Sequence, residues 1–459
     1  MTQPSVRRED AAPAALRAVE VELDRRWPES RIEPSLTRIA ALVDLLGSPQ
    51  RSYPVLHIAG TNGKTSVARM LDVLLSQIGL RVGRYTSPHL QWATERISLD
   101  GAPISPERYA EAYHDIEPYV ALVDAKSPVP MSKFEVLTGM AFAAFADAPV
   151  DAAVVEVGLG GSWDATNVVD GAVAAITPVA VDHVNYLGSD IAGIAAEKAG
   201  IIKPGAVVVL ARQPPEVAQV IAARSVEMDA TVANEGMEFG VLHRDVAACG
   251  QQLRLQGLGG VYDEIFLPLH GAHQSRNAAL ALAAAEAFFG AGANRSLDID
   301  AVRDAFATVT APGRLERVRT APSVFLDGAH NPHGARALAA ALREDFSFRR
   351  LIAVVGVMRD KDARSILVEL EPVADEILIT ASSSPRAMDV EDLAAAARTV
   401  FDESRLRVEP QLFGAIETAI ASAAEVEPGS EGILGAGIVI TGSVVTVGEA
   451  RAMFGREPQ

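Results

Sequence analysis

Cysteine is almost missing from this chain of 459 residues: Cys249 is the only one. An internal disulfide is excluded, and so is a cysteine cluster for zinc. That usage fits a reducing cytoplasm. Positive charge is also short. Lysine and arginine number 41 against 59 acidic residues, and the formal net charge is −18. Such a chain repels nucleic acid and anionic membranes, so neither is expected as a partner. An anionic substrate must then meet a local basic site within a repelling overall field. Long apolar runs are lacking too. The stretch 278–293 carries Glu286 and glycines and is too short to span a bilayer. The basic residues near the N-terminus have no apolar segment behind them, which is not the pattern of a secretory signal. No fixed-period repeat is found. The expectation is a soluble cytoplasmic protein.

What is present is enough apolar residue, 49%, to build a sizeable core, and the length implies two or three domains. After a disordered start, helices are expected before residue 30 and over 33–46. Apolar runs at 55–59, 81–85, 152–157, 172–181 and 207–210 read as strands, with helical periodicity between them. Residues 230–270 alternate over short segments with glycine turns, which reads as a small β-rich excursion. A helix is expected over 278–289, capped by 273–277. Alternating strands and helices imply an α/β fold with a doubly wound, mostly parallel sheet. Pro312 and Gly313 break the pattern, and the alternation then restarts with strands at 324–327, 351–355, 376–380 and 437–441. The expected domains are 1–311, with the nucleotide site, and a smaller Rossmann-like α/β domain over 312–459.

The most informative stretch follows the run Val55–Ala59. Gly60-Thr61-Asn62-Gly63-Lys64-Thr65 breaks the strand, and from Ser66 the pattern turns helical. Strand, glycine loop and helix make a phosphate cradle. Glycine lets backbone N–H groups approach phosphate oxygens, and the helix N-terminus adds positive potential. Lys64 can reach the outer phosphates, and the hydroxyl of Thr65 or Ser66 can face a magnesium ion. The loop has two residues between its glycines where the common phosphate loop has four. A surface turn before an amphipathic helix is the plain alternative.

Ser87, Glu156 and His183 each lie in or just past an apolar run. The carboxyl ends of parallel strands form the ligand crevice of an open α/β sheet. A hydroxyl, a carboxylate and an imidazole gathered there suit a divalent ion, with oxygen ligands favouring magnesium. Separate capping and turn roles are the alternative. Asp327-Gly-Ala-His330-Asn-Pro332 follows a strand and reads equally as a strand-to-helix turn. Arg314 and Asn277 can contact nucleotide or serve as a surface charge and a cap. Lys198, on its own, reads as a solvated helix lysine.

Taken together, these words resemble a family. Residues 60–65, 86–90, 155–161 with 164–167, 182–183, 197–201, 273–277, 312–316 and 327–332 stand in the order found in the dihydrofolate synthase/folylpolyglutamate synthase family of the Mur ligase superfamily. The matches run from about residue 35 to 360, and more loosely to Gly442-Ser443. The resemblance implies ATP-dependent addition of glutamate to dihydropteroate, to folate, or to both. Gly60, Thr61, Asn62, Gly63, Lys64, Thr65 and Ser66 would then hold the phosphates of ATP. Asn277, Arg314 and Asp327 match nucleotide-contacting positions. Ser87, Glu156 and His183 resemble magnesium ligands. Lys198 resembles a carbamylated lysine beside a second magnesium. Lys64, Lys198 and His330 are the implied catalytic residues. Phe134, Asp164, His330 and Ser443 are implied on the substrate side. Trp92 departs from the pattern, standing where some relatives carry arginine. The implied partners are the small-molecule substrates alone, on a monomer.

The implied mechanism runs through an acyl phosphate. A substrate carboxylate attacks the γ-phosphorus of ATP, and the glutamate amine then displaces phosphate. Closing one domain on the other would keep water from the intermediate. Two rivals are a Mur-type ligase of peptidoglycan precursors and a nucleotide-binding switch. Only 59 residues precede Gly60, too few for the separate uridine-nucleotide domain that Mur ligases carry there. A switch would not need the motif of Asp327 and His330.

Overall fold

The computed structural model describes residues 13–28, 33–290, 296–424 and 435–459. The disordered start expected of the chain lies outside these. The chain divides into two units. One holds most of the residues up to Val309. The other holds Thr310 onward, with the short segments Val246–Gly250 and Leu269–His273.

The first unit is built on eight strands: β1 (Val55–Ala59), β2 (Val82–Tyr85), β3 (Ile97–Leu99), β4 (Ala102–Pro103), β5 (Ala152–Glu156), β6 (Gly171–Ile176), β7 (Val207–Leu210) and β8 (Thr231–Asn234). Their order is β4-β3-β2-β5-β1-β6-β7-β8. From β2 across to β8 every pairing is parallel, and β3 and β4 add on antiparallel. Every residue of β1, β2 and β5 is buried. That is the mark of parallel strands covered on both faces, and it is why they read as unbroken apolar runs. On one face Val55, Tyr85, Ala153 and Val155 pack with helices Ala14–Asp24, Thr37–Leu45, Pro106–Lys126 and Lys133–Asp147. Further along, Ala174, Ile176, Val208 and Leu210 pack with helices Ile191–Ala199 and Pro215–Glu227. Leu56 and Ile58 alternate to the other face and are equally buried.

The chain leaves β1 through helix Lys64–Gln77 to reach β2, and leaves β5 to reach β6 on the far side of β1. Neighbouring β1 and β5 therefore send their connections in opposite directions. A crevice opens at the carboxyl ends of strands at such a switch point. The expected β-rich excursion is a three-stranded sheet of β9 (Gly240–Ala247), β10 (Gly250–Gln256) and β11 (Val261–Leu267), in the order β11-β10-β9.

The second unit has β12 (Glu316–Thr320), β13 (Ser323–Leu326), β14 (Arg350–Val355), β15 (Glu376–Ala381), β16 (Leu406–Gln411) and β17 (Ala436–Thr441), in the order β12-β13-β17-β14-β15-β16. Only β12 is antiparallel. The four strands expected here are the four inner ones. The sequence missed β12 and β16 because they form the edges. Edge strands meet water and carry charges such as Arg317, Arg319, Arg407 and Glu409, which hide the apolar signal.

Two further boundaries moved. The strand expected to reach Val181 stops at Ile176. The helix expected from Ala278 starts at Ala272, so residues 273–277 lie inside it and do not cap it. Among the described residues no helix is long and apolar enough to cross a membrane.

Candidate active site

The loop Gly60–Gly63 joins β1 to helix Lys64–Gln77 at the switch point. Its two glycines are required by close approach. Gly60 has φ +141°, and a Cβ there would fall 1.9 Å from Thr177 Oγ1; Gly63 has φ +95°, and a Cβ there would fall 2.7 Å from Asn277 Oδ1. No other residue fits both the backbone and the space. The segment past β6 grips the loop. Thr61 N donates to Pro178 O at 3.0 Å, and Thr61 Oγ1 donates to Ala180 O at 2.9 Å. This is where the expected end of β6 went: its polar backbone holds the phosphate loop instead of extending the sheet.

Two lysines meet on one carbonyl. Lys64 Nζ donates to Gly60 O at 3.1 Å and to Thr61 O at 3.2 Å. Lys198 Nζ donates to the same Gly60 O at 2.9 Å. Lys198 is 5% exposed, so it is not the solvated lysine its helix alone would imply. The turn after β5 closes over its helix: Ser162 N donates to Glu197 O at 2.9 Å, and Trp163 N to Glu197 Oε1 at 3.3 Å. Burial, and then the neighbouring charge of Lys64, pull the Lys198 amine down to about 7 against the carboxylates of Asp182, Asp164 and Glu197.

Glu156 ends β5 beside the loop, is buried, and accepts from Thr65 Oγ1 at 3.0 Å. Ser87 lies just past β2 and is half-buried. His183 lies past β6 at φ +52°, and its N–H donates to Asp182 Oδ1 at 2.7 Å. The carboxyl ends of four adjacent strands, β2, β5, β1 and β6, thus carry Ser87, Glu156, the phosphate loop and His183. Asn277 is brought against Gly63 from a helix far along the chain. It donates to Gln274 Oε1 at 3.0 Å, and Gln274 Nε2 donates to Ser66 Oγ at 3.3 Å.

Phe134 and Asp164 flank the turn after β5. Ser132 caps helix Lys133–Asp147, and its second residue, Phe134, lies so close to Gly158 that a Cβ there would fall 2.4 Å from the ring. The ring centroid of Phe134 is 6.1 Å from that of Tyr85. Asp164 turns its carboxylate onto its own loop, accepting from Leu159 N at 2.8 Å and Thr166 N at 3.0 Å.

In the second unit Asp327 follows β13 and accepts from Ala329 N at 2.9 Å and Leu315 N at 2.8 Å. Burial raises its pKa and the Arg314 charge opposes this. Arg314 lies against Gly328, and His330 Nδ1 donates to Gly328 O at 2.9 Å. Ser443 follows β17, the neighbour of β13, and caps helix Val444–Met453 through Thr446 N at 2.9 Å.

Similarity to known proteins matches this layout. The Mur ligase middle domain matches residues 130–285, and the Mur ligase glutamate ligase domain matches residues 313–444. The dihydrofolate synthase/folylpolyglutamate synthase of Mycobacterium tuberculosis is 60% identical over 97% of this chain and 95% of its own length. The chain belongs to the dihydrofolate synthase/folylpolyglutamate synthase family.

The structure of Mycobacterium tuberculosis folylpolyglutamate synthase complexed with ADP and AMPPCP superimposes with a TM-score of 0.92 at 58% identity, covering 97% of this chain and 99% of that one. Escherichia coli FolC in complex with DHPP and ADP gives 0.82 at 28% identity, with 97% and 99% covered. The chain is an ATP-dependent ligase that forms amides with glutamate, and a ligase of peptidoglycan precursors is the disfavoured reading. Sequence reasoning passed over Thr177, Gln274 and Glu197, which hold the loop, the asparagine and the turn. Nothing in local periodicity marks them: Thr177 and Glu197 act on segments far away in the chain, and Gln274, three residues from Asn277, also reaches Ser66 on another helix.

Proposed function

We propose that the chain joins L-glutamate to dihydropteroate, to the γ-carboxylate of folate polyglutamates, or to both, through an acyl phosphate. The observation that carries this reading is the convergence of Lys64 and Lys198 on Gly60 O, beside Glu156 and the first turn of helix Lys64–Gln77. The loop N–H groups and Lys64 take the phosphates of ATP, and Lys64 follows the charge that spreads over the transferring phosphoryl oxygens. Asn277 lies against the loop at Gly63 and takes part of the nucleotide. Arg314 and Asp327 are the nucleotide-contacting candidates that the second unit carries. Phe134 and Asp164 hold the pterin end. His330 and Ser443 take the incoming glutamate. The active form is a cytoplasmic monomer, which light scattering on the purified chain checks.

The donor types fit magnesium: a buried carboxylate, Glu156, that accepts from Thr65 in the first turn after the phosphate loop, with the Ser87 hydroxyl past β2 and the His183 imidazole past β6 as further donors. Bound there, magnesium supplies charge stabilisation to the phosphate oxygens. A second ion fits beside Lys198 if its amine is carbamylated, and the lowered amine pKa favours the neutral form that reacts with carbon dioxide.

The reaction is tested by mass. ATP turnover requires both L-glutamate and a pteroate or folate acceptor, and the acceptor gains one glutamyl residue. Equal ATP hydrolysis with and without glutamate, with no mass gain, would sink the proposal. The metal assignment is tested separately. Glu156→Gln removes a charge and almost no volume. It raises the magnesium concentration for half-maximal rate by about tenfold and leaves the melting temperature nearly unchanged. An unaltered magnesium titration would leave Glu156 a structural residue that holds Thr65.

A further inference from the structure

The middle of β1 holds a polar residue that none of this chemistry uses. His57 is fully buried, paired in register with Val155 on one side and Ala174 on the other. Its Nε2 lies 2.9 Å from Thr166 Oγ1. Thr166 is buried as well, and its hydroxyl donates to Asp164 Oδ1 at 2.5 Å. A threonine hydroxyl has one proton to give. Since that proton goes to Asp164, the oxygen accepts from His57, and the imidazole is the Nε2–H tautomer. Nδ1 is then a bare acceptor, and among the described residues it has no hydrogen-bond partner. Burial, with the charge of Lys203 adding to it, pushes the ring down to about 3, so it stays neutral at any working pH. The chain of donors runs one way, from the imidazole to the threonine to the carboxylate.

We propose that His57 is a positioning residue for the pterin-binding side: through Thr166 it fixes the Asp164 carboxylate, and with it the turn Gly158–Asp164. This rests on the reading that Asp164 and Phe134 hold the pterin end. The turn has two anchors in Asp164, one through Oδ2 to Leu159 N and one through Oδ1 to Thr166. Gly158, at its start, is the residue on which Phe134 lies. Without the histidine donor, Thr166 Oγ1 loses its fixed rotamer, and the carboxylate loses its side-chain contact while keeping the backbone N–H groups of Leu159 and Thr166. The same strand ends two residues later, at Ala59, and runs straight into the phosphate loop. His57 thus ties the pterin-side turn to the strand that ends at ATP, without touching either ligand.

The test compares KM values in steady state. His57→Leu keeps the buried volume and removes the donor; Thr166→Val does the same one step later. Both raise KM for dihydropteroate or tetrahydrofolate by about tenfold, the usual weight of an outer partner of a binding group, and leave KM for ATP unchanged. His57→Gln, whose amide N–H can reach Thr166, and Thr166→Ser, which keeps the hydroxyl, return most of the loss. If His57→Leu does not fold, the Thr166 pair decides alone. A uniform loss across both KM values, accompanied by a lower melting temperature and no recovery with the conservative variants, overturns the proposal. Asp164→Ala separates the layers. If it raises the pterin KM while His57→Leu and Thr166→Val do not, the positioning role fails by itself. If it leaves the pterin KM unchanged, the pterin-side reading fails and takes this inference with it.

Discussion

Lys64→Ala lowers turnover by a factor on the order of 10³, which is about 4 kcal/mol of transition-state stabilisation. The Lys64 ammonium is held on the carbonyls of Gly60 and Thr61, beside the loop it follows. Its positive charge is therefore stored beside the helix N-terminus, in the place phosphate oxygens would occupy. On the proposed mechanism it would exchange these carbonyls for charged oxygens whose charge grows in the transition state, and that difference would raise kcat. The fold does not depend on it, because the loop is also held by Thr61 through Pro178 and Ala180. The melting temperature of the variant therefore stays within a few degrees of the parent. Turnover within a factor of about two of the parent would reduce the loop to a structural turn.

Lys198→Ala has an effect of similar size, a loss of at least about a hundredfold, for a different reason. The side chain is buried and shares Gly60 O with Lys64. A permanent ammonium there would repel both Lys64 and a metal ion. With its amine brought down to about 7, about half of the side chain is neutral at pH 7, against about one in three thousand for an ordinary lysine. Carbamylation, in which the neutral amine adds to carbon dioxide and releases a proton to solvent, would reverse the local charge and offer two oxygens to a hard cation. Added acetate or formate therefore restores part of the activity of Lys198→Ala, and a crystal structure of the parent shows extra density at Nζ. The wild-type rate in limiting bicarbonate falls as pH drops below about 7, because the reactive neutral amine is lost. Stability moves the same way. The folded amine has a lower pKa than the unfolded one, so unfolding takes up a proton between the two values. Stability then rises with pH from about 7 to about 10.4, and Lys198→Ala flattens that slope. A fully active alanine variant with an unmodified lysine in the parent crystal would remove Lys198 from the chemistry.

Much of the fold was legible because its signals are local. Buried parallel strands read as continuous apolar runs, and helix Lys64–Gln77 announces itself through Val67, Met70, Leu71, Leu74 and Leu75 on one face. The order of the short motifs was enough to point to the family. The edge strands β12 and β16 were lost because half of each faces water. Helix Ala272–Phe288 started early because its polar first turns are not a cap. Their polarity serves Ser66 and Gly63, which lie on another element.

By itself, then, the sequence determined which chain segments would become strand, glycine loop and helix, and which residue types would stand at the strand ends. Periodicity, turn chemistry and glycine depend on neighbours a few positions away, and those are written in order. Tertiary structure alone decided what each side chain meets. Strand β1 lies between β5 and β6, which follow it by about a hundred residues. Only that crossing buries Lys198 against Gly60 and sets Asn277 behind Gly63. The same crossing puts His57 within reach of Thr166. Burial and hydrogen-bond partners set pKa and tautomer, and they come from chain topology, which no local pattern encodes.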